Sequence, residues 1–319
     1  MLPISMTLGT FTPSVLLGVA RRTGHLHQAG LAVTETAVRS SPAQFEALLL
    51  GTLDAVLTSP DNVLAHRYSP TNALHRTVDA RIVSAVDRGL GLALYGRTGA
   101  AGLRGATFGV DVPTSGFAFA MYALAESIGL RRADYRVLAL GSTPRRLQAL
   151  LAGDCDATML NAGNELLAEA AGYRPLARVS QICPPYLGTV LAVIGDTHAE
   201  AAGRLAAALT RTASSIAAGH LDAEVVAEAG AALGLPEPLA HRYLARLRDP
   251  GDGLVTGGVV DPASIRTIVD LRRRYRPETV DGRDAFAAAL EAGSSLVLAT
   301  RPPVGTAPDD VPGSAPAPA

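Results

Sequence analysis

The chain has 319 residues, of which 48% are hydrophobic and 18% charged, with a formal net charge of −1. That is a globular composition, long enough for two domains with ordinary cores, and its charge balance leaves no basic field for nucleic acid or an anionic membrane. All 28 basic residues are arginine, which excludes a lysine Schiff base, lysine-bound pyridoxal phosphate and a phosphate-loop lysine.

Along the chain, strand-like and helical patterns alternate. Residues 4–8 read as a strand, 13–22 as a helix, 31–38 as a strand and 42–50 as a helix. A short strand at 54–57 leads to a helix starting near Asp61, and 81–85 and 91–95 read as strands. The same order follows: strand 106–110, helix 116–128, strand 135–140, helix 144–151, strand 157–160 and helix 163–171. A strand at 189–194 returns toward the first half, and helices are expected at 199–218, 223–233, 238–247 and 262–275. The run Arg272-Arg273-Arg274 is expected on the solvated face of the last helix. From about Arg301 the chain is rich in Pro, Ala, Gly and Asp, and 301–319 is expected to be disordered. Alternating βαβαβ units imply parallel sheets with helices on both faces.

The chain also repeats itself. Residues 40–65 align without a gap on 142–167, with ten of 26 positions identical, where about two would arise by chance in so Ala- and Leu-rich a chain. Ser40, Pro42, Gly51, Asp54-Ala55 and Asn62 fall on Ser142, Pro144, Gly153, Asp156-Ala157 and Asn164. A repeat of this length, occurring twice, implies two similar α/β lobes, and small-molecule sites are common between such lobes. Hydroxyl–proline pairs at Thr12-Pro13, Ser41-Pro42, Ser59-Pro60, Ser69-Pro70 and Thr143-Pro144 read as helix starts. Helix N-termini at the carboxyl edge of a parallel sheet favour an anion or polar carbonyl. Thr114-Ser115-Gly116 fits such a place best, Gly116 allowing a ligand close to the backbone.

Two cysteines, Cys155 and Cys183, make neither a disulfide framework nor a zinc site, and seven histidines show no H-E-x-x-H spacing. No cofactor and no metal is expected. No basic segment followed by an apolar one opens the chain, no early cysteine offers a lipid anchor, and no uncharged apolar stretch reaches transmembrane length. The expectation is therefore cytoplasmic, without membrane insertion; a trimmed start would make it periplasmic or extracellular.

The runs FGVDVPTSGFAFAMYALAESIGL (108–130) and VLALGSTPRRLQALLAGDCDATMLN (137–161) resemble type II periplasmic solute-binding proteins. The nearest branch is the nitrate/sulfonate/taurine type, which shares a domain with the thiamine-pyrimidine synthases. Gly51–Ala55 and TSPDN at Thr58–Asn62 carry the same resemblance in the first lobe, and it covers roughly residues 4–280. It implies two βαβαβ lobes joined by two crossovers, closing on a ligand by a hinge. The crossovers would lie near 93–97 and 187–194, lobe one at 1–92 plus 195–300, and lobe two at 93–194. Family ligand loops map to Thr10-Phe11-Thr12, Arg39-Ser40-Ser41, Ser59-Pro60-Asp61, Thr114-Ser115, Ser142 and Asn161. The pyridoxal lysine and the cysteine-rich iron motif of the synthases are missing, which excludes that chemistry.

Several of these residues have two readings. Phe11 and Phe117 follow the first strand of each lobe and either stack on a flat ligand or pack in the core. Asp61 is a general base or amine partner, or a first-turn acid held by the helix dipole. Arg39 meets an anionic ligand or is a surface residue, and Tyr186 lines the cleft near the second crossover. Asn62 and Asn164, matched in the repeat, hold their loops or touch ligand. The leading expectation is a binding module for a small anionic or aromatic metabolite, partnered by a transporter permease if exported. The alternative is a cytoplasmic enzyme of lyase or decarboxylase type in the same cleft, with Asp61, His66 and Tyr186 as acid–base groups. A ligand sensor is a third reading, but no DNA-binding or signalling segment supports it.

Overall fold

The computed structural model describes residues 2–298; the expected tail at 301–319 lies outside them. The first lobe opens with β1 (Ile4–Thr10), α1 (Val15–Arg22), the short α2 (His25–Gln28), β2 (Leu31–Ala37), α3 (Ser41–Leu49), β3 (Ala55–Thr58), α4 (Pro60–Tyr68) and β4 (Ala80–Asp87). The second contains β5 (Ala93–Gly96), β6 (Thr107–Val110), α5 (Gly116–Ser127), β7 (Arg136–Ala139), α6 (Thr143–Ala152), β8 (Ala157–Leu160), α7 (Asn164–Ala170), β9 (Arg174–Arg178) and α8 (Val179–Ile182). There follow β10 (Thr189–Ile194), α9 (Ala199–Ala217), α10 (Asp222–Leu233), α11 (Glu237–Leu247), α12 (Pro262–Tyr275) and a hairpin, β11 (Thr279–Val280) and β12 (Arg283–Asp284).

Two five-stranded sheets carry the same plan, in the orders β2-β1-β3-β10-β4 and β7-β6-β8-β5-β9. β1 pairs parallel with β2 and β3, and β6 does so with β7 and β8. The strand that follows each crossing, β5 or β10, inserts antiparallel into the sheet it reaches. Central strands such as β3 and β8 are buried on both faces, as helix-covered sheets require. The crossings thus lie at 88–92 and 183–188. The expected ranges 93–97 and 187–194 fall mainly on the delivered strands. This is a correction to the expected division, which assigned 93–194 to one lobe: β10 hydrogen-bonds β3 and β4 in the first sheet.

The repeat has a local structural cause. Asp54 accepts the Thr7 amide at 2.7 Å, and its counterpart Asp156 accepts Thr107 at 2.8 Å, each tying a loop to the first strand of its lobe. Gly51 and Gly153 take φ of +69° and +82° as the chain leaves α3 and α6, a conformation that favours glycine. Ser40 and Ser142 are the N-caps of those helices, so Ser41-Pro42 and Thr143-Pro144 sit just inside them. Ser59 caps α4 as expected. Two other pairs do not cap: Ser14 starts α1 after Thr12-Pro13, and Ser69 ends α4 with its hydroxyl bonded to Glu278.

β9 escaped the sequence reading because Arg-Pro-Leu-Ala-Arg lacks alternation; it is an edge strand, where Pro175 is tolerated. The helical extension does not stay on one lobe. α12, capped by Asp261, packs Ile265, Ile268 and Val269 into a core that runs from Phe45 and Val63 in lobe one to Phe108 and Phe119 in lobe two. Its end is strapped to α5: Tyr275 donates to Glu126 at 2.8 Å, and Arg274 ion-pairs with the same carboxylate. Arg272 is 2% exposed, so the arginine run is not simply a solvated face.

Candidate functional site

The carboxyl ends of β1, β3, β6 and β8 point into the space between the lobes, and the loops after them enclose a cavity of about 110 Å³. By the same measure one water needs roughly 10–15 Å³, so the space suits a compact ligand. Four helix N-termini converge there: Ser14, Ser59, Ser115 and Ser142, the N-caps of α1, α4, α5 and α6, all line it. The first three accept a backbone N–H of their own helix, whereas the Ser142 hydroxyl makes no such bond.

The cleft is closed. Ser142 donates its amide to the Arg39 carbonyl at 2.9 Å, Ser41 Oγ donates to Asp111 Oδ2 at 2.8 Å, and Asn164 Nδ2 reaches Thr12 Oγ1 at 3.4 Å. Gly116 allows a close approach, though by protein as well as by any ligand. A Cβ there would lie 2.4 Å from the Asp61 Cβ of the other lobe.

Of the expected residues, Thr10, Phe11, Thr12, Ser59 and Asn62 line the cavity from lobe one. Ser115, Gly116, Phe117, Ser142 and Asn161 line it from lobe two. Phe11 and Phe117 are only half-buried, one on each side. Asn62 and Asn164 also hold their own loops, donating to Thr58 Oγ1 and the Asn161 carbonyl.

The structure does not bring the remaining candidates to this wall. Arg39 is exposed and contributes only its carbonyl, and Ser40 caps α3. Ser41, Thr114 and His66 line a separate cavity of about 30 Å³. Asp61, fully buried, is held by both arms of the Arg272 guanidinium, Nε to Oδ1 at 2.7 Å and Nη2 to Oδ2 at 2.8 Å. Arg272 itself lies 5.2 Å from the Phe119 ring centroid and 5.1 Å from that of Phe286. His66 stacks on Phe45 with centroids 4.0 Å apart. Burial, then the Arg272 charge, pushes the His66 pKa down to about 4. Tyr186 is buried against the second crossing, and burial, then Asp61, raises its pKa. Asp61, His66 and Tyr186 therefore do not form an acid–base set in the main cavity.

Three charged residues there were missed. Asp87, ending β4, accepts the Gly89 amide at 2.8 Å, and burial pushes its pKa up to about 6. Asp111 follows β6, and burial raises its pKa against the opposing pull of Arg146. Arg146, on α6, donates to the Met159 and Gly141 carbonyls and to Thr143 Oγ1, while burial lowers its pKa to about 10. Arg146 had a signal: it replaces Gln44 in the repeat, and both donate to the carbonyl of an equivalent strand residue, Met159 or Leu57. Among the described residues no group of three or more His, Cys, Asp or Glu side chains is placed to hold a metal ion. No helix among them is long and apolar enough to cross a membrane.

Two sheets of this order, joined by two crossings around a closed cleft, are the fold of the type II periplasmic binding proteins. The chain is similar to the periplasmic aliphatic sulphonate binding protein SsuA from Escherichia coli, with TM-score 0.66, 17% identity and 98% of each chain covered. It is also similar to the periplasmic nitrate-binding protein NrtA from Synechocystis PCC 6803, with TM-score 0.69, 12% identity, and 88% of this chain and 84% of that one covered. A third neighbour is the alkanesulfonate-binding protein SsuA from Xanthomonas axonopodis pv. citri bound to MOPS, with TM-score 0.65, 18% identity, and 86% and 94% covered. At these identities the likeness is one of fold. No protein-family model and no curated protein matches the chain.

Proposed function

We propose that this chain is a binding module for a small organic molecule carrying an acidic group, held in the interlobe cleft. The observation that carries this reading is the convergence of four helix N-termini on one enclosed cavity between closed lobes. Such termini present free N–H groups and a partial positive charge to an anion. Phe11 and Phe117 add apolar walls for the body of the ligand. The placement near the nitrate/sulfonate/taurine branch rests on the 108–130 and 137–161 runs and on the named neighbours. By the same reading the partner is the permease of an importer. A periplasmic or extracellular location fits those neighbours, and they lend no support to a cytoplasmic one.

Native mass spectrometry of the full chain with a panel of alkyl sulfonates, aromatic carboxylates and pyrimidines tests the reading. One unchanged ligand retained per chain is the expected result. Retention of none, or turnover of the bound compound, overturns it.

A further inference from the structure

The first crossing, 88–92, is gripped from both sides. From the loop after α11, the Asp252 carbonyl accepts the Leu90 amide at 2.7 Å and Asp252 Oδ2 accepts the Gly91 amide at 3.0 Å. From lobe two, the Ala162 amide donates to the Leu90 carbonyl at 2.9 Å and Asn161 Nδ2 to that of Gly89 at 3.0 Å. Beside the crossing, α7 of lobe two lies against α11, whose Tyr243, Leu244 and Leu247 pack in the core of lobe one. Two ion pairs join these helices, Glu169 with Arg242 at the surface and Glu165 with Arg246 inside.

The inner pair is incomplete. Arg246 Nε stands 3.9 Å from Glu165 Oε1, and Arg246 Nη1 stands 3.6 Å from Asp252 Oδ2. Arg246 Nε and Glu165 Oε1 are both buried with no hydrogen-bond partner among the described residues, unlike Asp61 and Arg272 with their two short bonds. Gly91 runs against them: a Cβ there would lie 2.9 Å from each of these two atoms. Glu165 is 0% exposed, and its Oε2 accepts the Gly163 amide at 2.7 Å. Tyr243 of α11 and Tyr95 of β5 also face it, both held neutral by burial, and Glu169 lies one turn along α7. Beyond Arg246 stands Asp252, with Arg178 of β9 near it. Burial pushes the Glu165 pKa up to about 7 against the pull of Arg246.

We propose that this buried pair is a proton-sensitive latch on the interlobe angle: Glu165 carrying its proton holds the lobes closed, and its ionisation favours opening. A neutral carboxyl fits the closed packing. An ionised one is desolvated there and meets its cation without a direct hydrogen bond, which is costly. Turning lobe two about 88–92 shifts α7 against α11 and admits water to the pair, which lowers that cost. Closure therefore takes up a proton. By linkage it is fully favoured below the ordinary carboxyl value of 4.5 and weakens as pH rises through about 7. A ligand enclosed by the lobes is then held more tightly at pH 5 than at pH 8, whatever its identity.

The test is small-angle scattering on the full chain, unfolded and refolded to remove any bound ligand, at pH 5 and pH 8 and equal ionic strength. The radius of gyration of the parent chain should rise between the two. Asp87, which begins the same crossing, also has a raised pKa, about 6, so a Glu165 variant is needed to assign the rise. Glu165→Gln is neutral at both pH values and should keep the compact radius at each; Glu165→Met, also neutral and of similar length, should do the same. Both variants remove a charge that burial penalises, so both should fold. A parent radius that does not rise overturns the latch. An equal rise in either variant overturns it too, by assigning the opening to another group. Neither outcome depends on the ligand, so the proposed function stands or falls separately.

Discussion

Replacing Arg272 by Met removes the guanidinium that neutralises Asp61 while keeping an unbranched stem among the same apolar neighbours. Asp61 is 0% and Arg272 2% exposed, and two short hydrogen bonds join them. Breaking such a pair by deleting one partner strands the other charge and costs about 3–5 kcal/mol. Loss of the cation's contact with Phe119 and Phe286 adds on the order of 0.5–2 kcal/mol. The total is a large share of the roughly 5–15 kcal/mol that ordinarily separates folded from unfolded chains. Urea unfolding at pH 7, followed by circular dichroism and by tyrosine emission, measures it; the chain has eight tyrosines and no tryptophan. Because one core runs through α12 into both lobes, the parent chain should melt in a single transition. The variant should lose about 3.5–7 kcal/mol, and the double variant Asp61→Asn, Arg272→Met should be more stable than the single one. A loss under about 1 kcal/mol, typical of an exposed ion pair, would refute the reasoning. So would a double variant no better than the single one.

Gly116→Ala places a Cβ 2.4 Å from Asp61 Cβ, an atom that no rotamer change can withdraw; the lobes should part, and an unchanged radius of gyration in small-angle scattering would count against the contact. His66 is neutral when folded down to about pH 4 but protonates near 6.5 when unfolded, so acidification through that window should cost on the order of 3 kcal/mol. His66→Phe keeps the stack on Phe45 and should flatten that slope in urea titrations; an unaltered profile would exclude His66 as its source. Glu165 has the opposite sign: burial raises its pKa from 4.5 to about 7, so the folded chain holds a proton there that the unfolded chain has released. Stability from Glu165 therefore falls as pH rises from 4.5 to 7, and Glu165→Gln should gain on the order of 1–3 kcal/mol over the parent at pH 8 relative to pH 5. Thermal melts at the two pH values read that difference, and equal gains at both would dismiss it.

Much of the fold was legible because its signals are local. Apolar periodicity set most elements, and the serine caps and the Gly51 and Gly153 turns act within a few residues of themselves. The repeat announced two lobes because Asp54 and Asp156 perform the same bond in each. Ten of the cavity residues stand at strand ends, in the loops after them or in the first turns of the helices that follow, since the carboxyl edge of a parallel sheet follows from strand order alone. Tertiary structure decided the rest. Asp61 and Arg272 stand 211 residues apart, and nothing in either local sequence marks one as the other's partner. That pairing turned a candidate base into a structural acid and buried one arginine of a run expected on the surface. Asp87, Asp111 and Arg146, from three elements distant in sequence, share one cavity wall only through the tertiary fold. Local sequence governs backbone conformation over one turn or one strand; which side chains share a low-dielectric space depends on how distant elements pack, and that packing assigns each charge its partner.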